Sequence, residues 1–99
     1  MLWRQGDIFL AAVPAIPRGA EPRPHCVLAE GEITGHSHRV AESGAARLYS
    51  HPTSLFLEVH ADMATIIHDE HGPIVLPRGT YRVWRQREYS PEAIRVVRD

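Results

Sequence analysis

The sequence predicts an all-β domain, on three observations: short runs in which apolar and polar residues alternate, frequent Gly and Pro between those runs, and almost no 3.6-residue periodicity. With 99 residues the chain has the length of one domain, since domains commonly hold about 100 to 150. We therefore read residues 1–99 as a single β domain. About seven to nine short strands are expected, arranged as a small barrel or sandwich, either cupin-like or another small β-barrel.

The first expected strand is Asp7 to Val13. After it come Pro14, Pro17, Pro22 and Pro24 with Gly19 among them, a composition that makes a loop because proline removes backbone donors and fixes φ. A second strand covers His25 to Glu30, Gly31 allows a turn or bulge, and a third runs from Ile33 to Val40. Glu42-Ser43-Gly44 is a turn, and Arg47 to His51 is a short strand ended by Pro52. The clearest alternation follows, with Leu55, Leu57, Val59 and Ala61 on one face and Phe56, Glu58 and His60 on the other.

Met63 to Ile67 is a further apolar segment that enters a polar corner, His68-Asp69-Glu70-His71-Gly72-Pro73. Ile74-Val75-Leu76 leads to Pro77-Arg78-Gly79, expected as a tight turn, and then to a strand in which Tyr81, Val83 and Arg85 alternate with Arg82, Trp84 and Gln86. The end of the chain is expected to make a turn at Ser90-Pro91 and a strand over Ile94 to Val97.

Composition excludes several function classes. Eleven basic residues face twelve acidic ones, and no basic block is present, so nucleic acid is not the expected partner. Every basic residue is an arginine. Without lysine there is no Schiff-base chemistry, no lysine general base and no P-loop. The single cysteine, Cys26, sits in an apolar stretch and is expected as a small buried thiol. No apolar run approaches the roughly 18 residues of a membrane helix, and the N-terminus lacks the apolar region of a signal peptide. A soluble, cytoplasmic protein is expected, without membrane contact.

Seven histidines stand out in a chain this short. His36 and His38, at i and i+2, point to one face of an extended strand about 6.5 to 7 Å apart. Two imidazoles at that spacing can share one ion at roughly 2.0 to 2.1 Å each. His68 and His71 form a second pair about thirty residues later, and each pair has a glycine and a carboxylate beside it. The expected metal ligands are therefore His36, His38, His68 and His71. Glu42 and Glu70 are expected near the ion as alternative ligands or hydrogen-bond acceptors, with His60 in reserve; His25 and His51 are expected to be structural. Nitrogen and carboxylate donors without thiolate suit Zn, Fe, Mn, Ni or Cu. Catalytic residues are not assigned. Were the site catalytic, a metal with an open position would activate water or a small bound substrate.

His36-Ser37-His38 followed by Glu42 resembles the first cupin motif, and Gly72 through Gly79 resembles the Gly to Pro-x-Gly part of the second. That resemblance implies a metal-binding β-barrel. The chain departs from the pattern at Arg82, where a cupin offers its last histidine, and between Gly31 and His36, which lie one residue too close. The stretches Ala29 to His38 and His68 to Ile74 are also similar to the hallmark segments of small bacterial and phage proteins that carry no assigned activity.

Arg78, Arg82, Arg85 and Arg87 cluster around Tyr81 and Trp84. A salt-bridge lattice with Glu70, Glu88 and Glu92 is expected there in preference to an anion or single-strand binding face. The competing reading of the whole chain is a non-enzymatic structural or interaction module that self-associates. Oligomerisation is expected in either case, because a domain of this size buries a modest core.

Overall fold

A computed structural model describes residues 1–31, 35–52 and 54–86. The expected turn and strand at the C-terminal end, together with Arg87, Glu88 and Glu92, lie outside the described residues. Within them the chain is eight antiparallel strands: β1 (Leu2–Gln5), β2 (Ile8–Val13), β3 (Glu21–Pro22), β4 (Val27–Glu30), β5 (Ser37–Val40), β6 (Ala46–His51), β7 (Ser54–Ile67) and β8 (Ile74–Arg85). They form one sheet in the order β1-β2-β8-β7-β5-β4, with β6 on β7 and β3 on β6. Among the described residues the ladder does not close on itself. Among the described residues no helix is long and apolar enough to cross a membrane.

Two expectations are corrected by β7 and β8. Leu55–Ala61 and Met63–Ile67 are one strand, and Pro77-Arg78-Gly79 lies inside β8 instead of turning the chain. The cause is a bulge in which His60, Ala61 and Asp62 stand opposite Arg78 alone, between the pairs Val59↔Gly79 and Met63↔Pro77. Extra residues on one strand bend it and increase its twist. Pro77 is tolerated there because a bulge relaxes the demand for a ladder donor. Arg78 covers the exposed backbone of the bulge, donating to the Ala61 carbonyl at 3.3 Å and to Asp62 Oδ1 at 2.8 Å.

That bend lets one long pair organise the whole sheet. The first half of β7 holds β6 on its free side, through Ala46↔Val59 to His51↔Ser54, and the second half holds β5 through Arg39↔Ile67 and Val40↔Ile66. The core lies in the resulting fold, where Leu10, Leu48, Leu57, Val59, Ala64, Ile66, Leu76 and Val83 are buried. Fully burying an aliphatic side chain of this kind contributes about 1.5 to 3 kcal/mol.

Two smaller differences concern ends. Asp7 does not begin a strand but belongs to the two-residue loop between β1 and β2, and β1 itself lies outside the expected set. Gly6 has φ +60°, the positive value that the first central position of a type II′ hairpin turn requires and that glycine takes without strain. The expected strands at 25–30, 33–40 and 47–51 are present as β4, β5 and β6 with shifted starts.

The alternation expected for the last strand holds. Tyr81 and Val83 are buried and Arg85, next in their row, points the same way. On the opposite face Arg82 lies over the Trp84 ring at 4.9 Å, Trp84 stacks on Phe9 at 5.6 Å, and Arg4 lies over Phe9 at 5.4 Å. Arg87, Glu88 and Glu92 of the expected lattice lie outside the described residues, and the other arginines have these partners. Arg78 pairs with Asp62 and Arg82 donates to Ser54 Oγ at 2.8 Å. Arg85 donates to the Glu30 carbonyl at 2.6 Å and faces Asp7 at 3.8 Å, while Glu70 faces His36.

Candidate functional site

The two histidine pairs meet at one end of the sheet. The His38 ring lies 4.2 Å from that of His68 and 6.2 Å from that of His71; His68 and His71 are 4.7 Å apart, and His36 is 5.8 Å from His68. The topology explains the meeting. His38 sits on β5 opposite Ala29, two residues from the β5–β7 pair Val40↔Ile66, and His68 directly follows the end of β7. The β7–β8 connection then returns His71 over the same spot.

The four rings are not equivalent. His38 is buried, only 4% exposed, whereas His36 and His68 are half-buried and His71 is exposed. Burial, and then the neighbouring His68, push the His38 pKa down to about 4, so its imidazole is neutral at pH 7. A neutral ring is the form that can ligate a metal.

Gln5, a residue outside the expected site, decides which nitrogen of His38 carries the proton. It is 2% exposed, and its Nε2 donates to the carbonyls of Ile66 and Gly72, each at 2.9 Å. Both of its partners on that side are acceptors, so the amide nitrogen must face them and Oε1 must face His38. Oε1 lies 2.8 Å from His38 Nδ1 and can only accept. Neutral His38 therefore carries its proton on Nδ1, and Nε2 presents a lone pair. That lone pair is 3.5 Å from Asp7 Oδ1, an arrangement of two electron-rich atoms.

Gly6, between Gln5 and Asp7, completes this wall. A Cβ at Gly6 would lie 2.6 Å from His71 Nε2 and 2.9 Å from its Cδ2, so the imidazole packs on bare backbone. The β1–β2 turn thus places three consecutive residues against the cluster. Gln5 orients His38, Gly6 makes room for His71, and Asp7 supplies a carboxylate. The sequence signal for this turn is Gly-Asp between two apolar runs, a hairpin signature.

The remaining expected residues are placed as follows. Glu70 Oε1 is 3.6 Å from His36 Nδ1 at the rim of the cluster, and His68 Nδ1 accepts the Glu70 N–H at 2.9 Å. Asp69 ties the corner to β5, accepting from Arg39 at 3.1 Å and from Ser37 N–H at 3.3 Å, bonds that lower its carboxyl pKa. Glu42 spends its carboxylate on Thr65, at 2.7 Å from the backbone nitrogen and 2.6 Å from Oγ1, and those two bonds hold its pKa below the usual value. His60 stands exposed at the β7 bulge, eight residues before His68 and up to roughly 26 Å away along an extended strand. Cys26 is half-buried, its thiol directed at the Ala46 carbonyl at 3.2 Å, and burial raises its pKa.

Among the described residues, no three His, Cys, Asp or Glu side chains stand ready-formed as a metal-binding group. His68 Nδ1 is occupied by the Glu70 N–H.

The chain matches, over residues 4–86, the family described as a domain of unknown function, DUF8820. It belongs to that family. The matched region begins at Arg4, so it takes in the Gln5-Gly6-Asp7 turn, both histidine segments and Arg85. No curated protein and no solved structure matches the chain.

Proposed function

We propose that this DUF8820 domain binds one divalent transition metal ion, Zn, Fe, Mn, Ni or Cu, at the histidine cluster. His38, His68 and His71 with Asp7 would hold it, and His36 and Glu70 would close its outer side. One observation carries the reading: Gln5 forces the His38 proton onto Nδ1, which aims a bare Nε2 lone pair at a carboxylate oxygen. Facing lone pairs repel, and a cation between them reverses the sign of the interaction. A hydrogen-bonded partner that fixes the ring tautomer is also what metal-ligating histidines usually have behind them. Bound there, a metal would act as a Lewis acid or hold the fold. The chain's own contribution is to keep His38 neutral and oriented, and to keep a carboxylate beside it.

The test is elemental analysis and Co(II) or Zn(II) titration of protein purified without a histidine tag. Stoichiometric binding is expected in the wild type, with affinity lowered about 10- to 100-fold in Asp7→Asn and Gln5→Leu and unchanged in His60→Ala. No ion taken up, or uptake equal in all four proteins, would overturn the reading.

A second reading is a non-enzymatic module that self-associates. The observation in its favour is β1, which carries the exposed Leu2 and, among the described residues, is an edge strand with its outer backbone groups unpaired within the sheet. Light scattering separates the two: a constant dimer mass that ignores chelator, with no metal bound, supports the second.

A further inference from the structure

A cavity of about 430 Å³, none of whose lining residues belongs to the histidine cluster, lies between the end of β4, the start of β7 and the end of β8. Its size lies within the range of small-molecule sites, about 300 to 1,000 Å³. One wall is apolar, made by Ile8, Leu28 and Val83 of the core. The other carries Arg23, His51 and Arg85, opposed by the single carboxylate of Glu30.

Two atoms make this more than a hollow. Among the described residues, the buried side-chain nitrogens without a hydrogen-bond partner are His51 Nδ1 and Arg85 Nε, and both residues line this cavity. Buried polar groups are normally satisfied, because each one left unpaired costs free energy. Arg85 is also an inward-pointing cation, third in the row Tyr81, Val83, Arg85. Its Nη2 holds the Glu30 carbonyl at 2.6 Å, and its Nε has only Asp7 Oδ2, at 3.8 Å. The guanidinium is held by that bond, and its buried Nε–H makes no hydrogen bond among the described residues.

We infer that the cavity binds a small organic anion, with its oxyanion head on Arg85 and His51 and its apolar body against Ile8, Leu28 and Val83. A guanidinium N–H is matched to an oxyanion, carboxylate or phosphate ester alike, and forms the stronger class of charge-assisted hydrogen bond. The apolar wall selects against inorganic ions. Exposed Arg23 at the mouth adds long-range attraction for the same sign of charge.

The test uses NMR titration of the chelator-treated full chain with benzoate, phenyl phosphate and, as the neutral control, benzyl alcohol. Chelator keeps the result independent of any metal at the histidine cluster. At least one acid is expected to shift the amide signals of Ser50, His51 and Arg85, binding about tenfold or more tighter than the alcohol. Arg85→Gln should remove the difference between acid and alcohol. His51→Leu provides a second arm should Arg85→Gln fail to fold, since it deletes a nitrogen that bonds nothing within the protein. It is expected to melt no lower than the wild type while binding the acid several-fold more weakly. Equal binding of acid and alcohol, no binding of either acid at millimolar concentration, shifts confined to the histidine cluster, or undiminished acid binding in folded variants would each overturn the inference.

Discussion

Replacing Gln5 by leucine is the sharpest probe of the reasoning about His38. The side chain is buried and makes three hydrogen bonds, to the Ile66 and Gly72 carbonyls and from His38 Nδ1. Leucine has nearly the same volume and no polar atom, so the packing survives and three groups lose their partner. A buried group left unsatisfied costs about 1 to 3 kcal/mol. The Gly72 carbonyl is only partly buried and can recover water, so it belongs at the low end; the Ile66 carbonyl and the His38 N–H are buried. Buried leucine returns about 1 to 2 kcal/mol of transfer free energy. The net loss is then about 1 to 6 kcal/mol, out of a total stability of about 5 to 15 for a domain of this length. At about 4 to 8 °C per kcal/mol, the melting temperature should fall by at least about 4 °C, and by about 20 °C at the middle of that range. Circular dichroism melts at pH 7 with chelator measure it. Nitrogen-detected histidine spectra of the wild type should also show His38 protonated at Nδ1 and bare at Nε2. A Gln5→Leu melt within about 3 °C of the wild type, or a His38 proton found on Nε2, would refute the argument.

The other predictions rest on separate contacts. Gly6→Ala places a methyl 2.6 Å from His71 Nε2 at φ +60°, so it should cost about 1 to 2 kcal/mol in strain alone and displace His71, seen as a lower melt and a moved His71 ring signal. Glu42 has its native pKa depressed by Thr65. Its stabilisation is therefore complete above the unfolded carboxylate pKa and is lost as pH falls through the lower native one. Glu42→Gln should melt below the wild type at pH 7, and the gap should narrow as pH falls below the ordinary carboxylate range. Leu57→Ala removes a side chain with no exposed surface from the centre of β7 and should cost about 2 to 5 kcal/mol in urea unfolding, with unchanged strand content by circular dichroism. Metal uptake should be lost as pH falls through about 4, where His38 takes up a proton, as read by Co(II) absorbance.

What the sequence discloses depends on whether a signal is local. Strands whose own residues alternate, such as Leu55 to Ala61 and Tyr81 to Arg85, are legible because burial on one face leaves its mark at every second position. β1 is not, because it is four residues long and its buried member is the polar Gln5, whose partners lie 33, 61 and 67 residues away. Pro77-Arg78-Gly79 carries the composition of a turn, yet the same composition serves a bulge. Only the three residues facing it on β7 decide between the two, and they are not visible from β8.

The site follows the same division. Spacing within each histidine pair is a local property, and the two pairs do meet. Glu42, four residues beyond His38, looks close by the same measure, but the chain turns at Glu42-Ser43-Gly44 and delivers that carboxylate to Thr65 instead. The neighbours that matter come from the other end of the chain, in Gln5, Gly6 and Asp7. Their chemistry is unremarkable in isolation: a glutamine in a strand, then a Gly-Asp turn. Only the pairing of β1 with β2, of β2 with β8, and of β8 with β7 brings that turn beneath the β7–β8 corner. There an ordinary hairpin becomes the wall that fixes one imidazole's proton and opens space for another. Arg85 follows from the same fact, because the sheet order that lays Asp7 against His38 also lays it against the end of β8. One aspartate therefore faces both the His38 ring, at 3.5 Å, and the Arg85 guanidinium, at 3.8 Å.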